Sequence, residues 1–276
     1  MASVQRAQFL NLFVAVFLPM FMAAADQTLL ATATPAIAAS IGGLRDTSWI
    51  AVAYLIASAT IVPVYGRLGD ARGRRNMLLV ALAIFALGSL ACAAAQSFPQ
   101  LVAARVLQGL GGGGLMTLSQ ATIGELVPPL ERVRYQGYFA LVFMTASIGG
   151  PVVGGFVVAH ASWRWLFLAN LPLAAIAAWR LCRLPTGERH PRAGTDYFGL
   201  VLFALAASST LFWLTSGGQR FAWLSPTSAA LLGVAAASIA GLCLHERRTP
   251  TPFLPMDLFA ERAMRQSVLL VASFPA

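Results

Sequence analysis

The 276-residue sequence contains no lysine, and charged residues of any kind make up only 11 per cent of it. A soluble domain carries about a quarter, so a single water-facing globule is excluded and the lipid bilayer must serve as solvent. Acids are scarcer than bases, ten against nineteen, for a net charge of +9 with His neutral. In a soluble chain that surplus would suggest nucleic acid. Here the arginines fall in short clusters between apolar stretches, a pattern that sets membrane orientation, and no nucleic-acid partner is expected. The three cysteines, Cys92, Cys182 and Cys243, stand in separate apolar segments without paired spacing. They predict buried structural thiols and argue against a disulfide framework or metal site. His160, His190 and His245 share no ligand spacing either, and solvated or interfacial roles are expected of them. With no nucleophile motif, phosphate loop or metal constellation, the reading is of a non-enzyme with no cofactor and no metal.

What the sequence holds instead is apolar length. Windows long enough to span a bilayer fall near 9–38, 48–65, 77–97, 100–125, 136–159, 163–182, 198–216 and 226–245. A ninth begins near Met264, but only about a dozen residues of it precede Ala276, too few for a hydrocarbon layer of roughly 30 Å. The first 25 residues imitate a signal peptide, with Arg6, an apolar run from Phe9 to Met22, and Ala23 to Ala25. Apolar character resumes after Asp26 and Gln27, which favours one long helix kinked at Pro19.

Loop charge gives the orientation. With the N-terminus inside, fifteen arginines fall in inner segments, while Arg45, Arg164 and Arg220 fall outside and Arg105 lies within a helix. The asymmetry predicts a cytoplasmic N-terminus in the cell membrane and an even number of completed spans. A polar stretch with Pro185, Gly187, Pro191 and Gly194 separates six helices from two. The expected division is a six-helix bundle at 1–184, a cytoplasmic linker at 185–197, two further spans at 198–246, and a cytoplasmic segment with the start of an incomplete helix at 247–276.

Four stretches carry more than topology. Gly66 to Arg75 reads GRLGDARGRR, in which Gly66, Gly69 and Gly73 permit tight turning and Asp70 can pair with an arginine or cap a neighbouring helix, among the basic residues Arg72, Arg74 and Arg75. In the fourth window Arg105 and Gln108 lie one turn apart, ahead of Gly109 and the run Gly111 to Gly114. An ionised Arg in a span costs from about 2.5 kcal/mol upward, so it must meet water or a partner unless it snorkels to the nearby helix end. The glycine run suits close helix packing better than ligand binding. In the fifth window Gly150 and Gly154, like Pro151 and Gly155, are spaced one turn apart and form a small-residue ridge. In the first, Asp26 is the one acid deep in a spanning window. Desolvation favours its neutral form and a nearby Arg105 its charged form, so a moving helix could switch its protonation; a permanent anion lining a wet cavity is the bland alternative.

The Gly66 to Arg75 spacing closely resembles the signature loop of the major facilitator superfamily. The R-V-L-Q-G of helix 4 resembles the family's helix 4 motif and the S-I-G-G-P-V-V-G-G from Ser147 to Gly155 its antiporter motif, while the Asp26, Thr28, Thr32, Thr34, Pro35 pattern and the Trp163-Arg164-Trp165 to Pro172 stretch resemble its 14-helix drug:proton antiporter branch. There are departures: Ala146 stands where the helix 5 motif begins with glycine, and alanine and threonine replace the usual asparagine and valine of helix 1. The resemblance implies an all-helical, polytopic membrane protein: a six-helix bundle of three-plus-three repeat, two extra spans, and the start of a ninth. It further implies export of small lipophilic compounds in exchange for protons, with Asp26, Arg105 and Gln108 in the coupling site and the Gly66 to Arg75 loop acting on an opposing bundle. That C-terminal half is expected downstream of Ala276, since Phe253-Leu254-Pro255 and Leu258-Phe259 resemble the lead into it. An uptake carrier of the same superfamily and a non-transporting membrane scaffold are the rival readings.

Overall fold

The computed structural model describes residues 2–44, 46–184 and 196–249, with backbone alone for 2–12, Leu126 and Pro129. The ninth segment, the Phe253 to Phe259 stretch, His190 and most of the linker therefore lie outside the described residues. Nine helices occur among the described residues: α1 (Ala2–Ile41), α2 (Trp49–Arg72), α3 (Arg74–Ala94), α4 (Phe98–Leu126), α5 (Pro129–His160), α6 (Arg164–Leu168), α7 (Asn170–Leu181), α8 (Tyr197–Ser216) and α9 (Pro226–Glu246). The chain is all-helical there because lipid offers no hydrogen bonds, so each span must satisfy its own backbone. All but α6 and α7 are long and apolar enough to cross a membrane.

Two expectations are corrected. The sixth window is two short helices. Pro172 has no N–H for the Leu168 carbonyl, and α6 ends at Leu168, although Ala169 keeps helical dihedrals (φ −61°, ψ −25°). The Gly66 to Arg75 stretch is also hardly a loop. Gly66 to Arg72 complete the last turns of α2, Arg74 opens α3, and the reversal occurs at Gly73 alone, with φ +92°, which an L side chain rarely adopts. Arginines do not break helices, and charge ended the apolar window before the helix itself ended. By contrast α1 runs unbroken through Pro19, Pro35 and the apparent cleavage region at Ala23 to Ala25.

The chain forms two compact units, Met1–Pro191 and Arg192–Ala276. In the first, α4 lies between α2 and α3, and its glycines make that possible. A Cβ at Gly113 would come 2.4 Å from the Ser58 carbonyl on α2, and one at Gly111 2.4 Å from the Phe85 nitrogen on α3. Gly88 on α3 answers in kind, its would-be Cβ 2.5 Å from the Gln108 backbone. Backbones this close exchange dispersion contacts along their length, the main adhesion available between helices in lipid.

Two large apolar clusters fill most of the bundle, with a small third one at Ala24, Ala25 and Ala146. One of the large clusters includes Phe17, Phe85, Leu118 and Phe139, the other Ile37, Ile50, Leu101 and Phe167. At the arginine-rich end, helix C-termini are closed by guanidinium groups. Arg75 donates to the Leu181 and Cys182 carbonyls at the end of α7 (2.9 and 2.8 Å), and Arg74 and Arg132 donate to Ala121 and Gly124 at the end of α4. Cations satisfy orphan carbonyls and complement the helix dipole there. In the second unit α8 and α9 form a hairpin. Trp213 Nε1 donates to Ser228 Oγ at one end (2.6 Å), and His245 meets Asp196, the N-cap of α8, at the other (2.8 Å).

Candidate functional site

Between the two large apolar clusters of the first unit lies a layer of polar side chains. Each comes from a largely apolar stretch of helix. Asp26 of α1 and Arg105 of α4 form an ion pair, Arg105 Nη1 to Asp26 Oδ2 at 2.5 Å, with relative exposures of 2 per cent and zero. Gln108, one turn beyond Arg105, donates through Nε2 to Asp26 Oδ1 (2.8 Å) and Ser89 Oγ of α3 (2.9 Å), and accepts from Arg105 Nη1 (2.6 Å). Arg105 Nε donates to the Ile50 carbonyl of α2 at 2.9 Å. Asn170, the first residue of α7, reaches Asp26 Oδ1 and Ser89 Oγ at 3.4 and 3.3 Å. The Tyr54 ring of α2 lies against the guanidinium, its centroid 4.3 Å from Cζ. Five helices thus converge on one pair of opposite charges.

Electrostatics explain the crowding. Taking either ion out of water costs several kcal/mol even after relaxation, and the pair recovers this only when its remaining donors and acceptors are also met. Both Asp26 oxygens accept hydrogen bonds, and the arginine is held at two of its three nitrogens. Arg105 does not snorkel, and Asp26 does not face open water. The structure brings Asp26, Arg105 and Gln108 into mutual contact.

The threonines that follow Asp26 receive α5. A Cβ at Gly150 would lie 2.0 Å from Thr28 Oγ1, and one at Gly154 2.3 Å from Thr32 Oγ1; the Thr28 hydroxyl also donates to the Ala146 carbonyl at 2.8 Å. Position 146, where the glycine motif departs, thus serves this contact through its backbone. The expected ridge is half used: Gly155 has open space, and Pro151 is exposed.

The arginine-rich stretch does not join this site. Arg74 pairs with Asp70 at 3.0 Å and Glu125 at 3.7 Å, partly exposed contacts worth about 0–1 kcal/mol each. Arg72 is exposed, and Gly66 faces open space, whereas a Cβ at Gly69 would meet Leu118 at 2.8 Å. Of the cysteines only Cys92 is buried, its thiol 3.4 Å from Gln108 Oε1; Cys182 is exposed and Cys243 intermediate, contrary to the expectation of three buried thiols. Trp163 is buried and donates to Ser40 Oγ at 2.8 Å, whereas Trp165 is exposed, as suits an aromatic residue at a membrane interface. No cluster of metal-ligating side chains occurs among the described residues.

Of two hollows in the first unit, one shares Tyr54 with the network and the other lies among the aromatic residues around Phe17. A groove of about 200 Å³ between α1, α2 and α4 is lined by Gln27, Tyr54, Ser58, Gly112, Gly113 and Met116, among others. A wider cleft of about 350 Å³ between α1 and α5 is lined by Phe13, Phe17, Phe21, Tyr138 and aliphatic neighbours. Sequence reasoning did not single out Tyr54 or Ser89, gave Cys92 only as a buried structural thiol, and placed Asn170 only within a resemblance. Their signal was present: each is a polar or polarizable residue in a largely apolar window, and Tyr54, Ser89 and Cys92 lie on the helices that glycines draw toward α4.

A family model described as Major Facilitator Superfamily matches residues 16–246. The multidrug transporter protein MdtP of Bacillus subtilis is 35% identical over 252 residues, covering 91% of this chain and 47% of that protein. The efflux pump FUS6 of Gibberella moniliformis is 33% identical over 284 residues, covering 99% and 50%. The chain therefore spans about half the length of the curated relatives it matches. Among solved structures, a D-xylose–proton symporter superposes with a TM-score of 0.55 at 16% identity, over 85% of this chain and 67% of that one. At that identity the likeness concerns the fold.

Proposed function

Since the chain belongs to the Major Facilitator Superfamily and is a transport protein, not an enzyme, we propose that it is the N-terminal part of a proton-coupled exporter of small lipophilic compounds. The observation that carries this reading is the Asp26–Arg105 pair, buried where five helices meet and separated from an apolar groove by one aromatic ring. Asp26 is the proton carrier. Protonation discharges it and weakens its hold on Arg105, and the ion pair reforms when the proton leaves, so the proton changes the packing at the centre of the bundle. Gln108 keeps Asp26 oriented in either state, because an amide can donate to a carboxylate or a carboxylic acid. The relatives named as a multidrug transporter and an efflux pump support export, as does the contact of Gly150 and Gly154 with α1, which couples the fifth helix to the one that carries Asp26.

The bundle works against a second, C-terminal half, with the bilayer, protons and the lipophilic substrate as its other partners, and with Gly66 to Arg75 at the junction. Arginine asymmetry supports a cytoplasmic N-terminus in the cell membrane. The near-complete hydrogen bonding of the pair favours one competing reading, a structural staple that never titrates. Asp26→Asn in a transporter carrying both halves separates the two. It is expected to abolish substrate-driven proton release while the protein still folds and binds. Proton release unchanged from wild type would remove Asp26 from the coupling mechanism.

A further inference from the structure

Tyr54 stands where the groove and the ion pair meet. Its ring packs against the Arg105 guanidinium, and its hydroxyl occupies a seat that exists because residue 112 is glycine, where a Cβ would come within 2.0 Å of the oxygen. The same residue lines the groove together with Gln27. Behind it, Arg105 uses Nε for the Ile50 carbonyl and Nη1 for Asp26 and Gln108, while Nη2 is buried with no hydrogen-bond partner. An unmet donor on a buried cation is costly, and an aromatic face compensates for it only in part, being a weaker acceptor than oxygen.

The chemistry of a group that completes Arg105 follows from the charges already present. Asp26 neutralises the guanidinium, so a second anion would enter a low-dielectric site with no counter-charge of its own. A neutral oxygen acceptor carries no such cost. The groove wall of Ala23, Ala59, Gly112 and Gly113 is low and apolar, suited to a flat ligand.

We infer that Tyr54 is a displaceable partition, and that the groove takes a neutral, flat, apolar ligand bearing an acceptor oxygen that swings the ring aside and receives a hydrogen bond from Arg105 Nη2. The inference deepens the transport reading, on which its biological meaning rests, but its test reads binding alone. Two neutral dyes serve as probes: 6-propionyl-2-dimethylaminonaphthalene and the analogue whose carbonyl is reduced to methylene. Saturable binding of each to the full chain in lipid nanodiscs is followed by fluorescence. The ketone is expected to bind about tenfold more tightly. Tyr54→Phe, which keeps the ring, preserves that ratio. Tyr54→Ala removes the partition and raises the ratio several-fold. Gly112→Ala, which drives the hydroxyl from its seat, shifts the ratio in the same direction and supplies the readout if Tyr54→Ala does not fold. Equal affinities of the two dyes for the wild-type chain, or a ratio indifferent to both substitutions, overturns the inference. A transporter carrying both halves that keeps the dye ratio yet performs no proton-coupled efflux overturns the transport reading and leaves this one standing.

Discussion

Arg105 and Asp26 are the residues whose removal is most informative, because their costs depend on each other. Arg105→Leu leaves a carboxylate 2 per cent exposed with only amide donors around it. That single change is expected to cost about 3–5 kcal/mol, the range for breaking a buried pair from one side. Adding Asp26→Leu removes the stranded charge and is expected to recover at least half of the loss, since apolar replacement of both partners is often near neutral. Thermal melts of the four proteins of this double-mutant cycle in detergent provide the check, and strictly additive losses would show that the two charges are not coupled. Much of this site was legible in the sequence. A lone acid and a lone arginine in apolar windows require partners, and the one-turn spacing of Arg105 and Gln108 places both on one face. Which helices deliver Ser89, Asn170 and Tyr54 was not legible. That depends on interhelical approach, which periodicity within a single helix does not encode.

Among the helices, the close approach of α1 and α5 is set by two glycines out of a longer small-residue run. Helical spacing alone allowed either Gly150 with Gly154 or Pro151 with Gly155, and the structure places the first pair against Thr28 and Thr32. Gly150→Val forces the helices apart and breaks the Thr28 to Ala146 hydrogen bond, so a loss in the overpacking range of about 1–3 kcal/mol is expected. Gly155→Val meets open space and is expected to stay within about 0.5 kcal/mol of wild type. Melting the two variants side by side in detergent tests this, and equal destabilisation would mean that the contact does not hold α5 in place. Window lengths, by contrast, read shorter than the helices. Hydropathy ended the second window near residue 65 where α2 continues to Arg72, because a charged side chain leaves the apolar count without leaving the helix. The split of the sixth window followed from Pro172, a signal present in the sequence and outweighed there by apolar length.

For the molecule as a whole, the distribution of arginine and the positions of the cysteines bear on one question, the side of the membrane that each end faces. Arg75 closes the C-terminus of α7 at Cys182, and Arg183 follows it, stacked 3.9 Å from the Trp179 ring centroid. This is the end at which Arg74 and Arg132 also close α4. The positive-inside rule leads to the expectation that this end faces the cytoplasm. Cys182 is exposed there, whereas Cys92 is buried beside Gln108 and Cys243 is intermediate. In a Cys243→Ser background, a membrane-impermeant maleimide is therefore expected to modify Cys182 in inside-out vesicles and not in intact cells, and to leave Cys92 unmodified in both. Arg164, at the start of α6, donates to the Ala95 carbonyl just past the end of α3 and marks the opposite end, so a cysteine placed at Ser162 should label with the reverse preference. Labelling of Cys182 from outside intact cells would invert the orientation. It would also place Asp70 and its arginines on the outer face, where the proposed junction with a C-terminal half would have to be argued anew. The preference expected for Cys182 and its reversal at Ser162 together require an odd number of membrane crossings between those two positions. That makes the α6–α7 segment, interrupted at Pro172, one complete span of roughly 27 Å for its eighteen residues at 1.5 Å each.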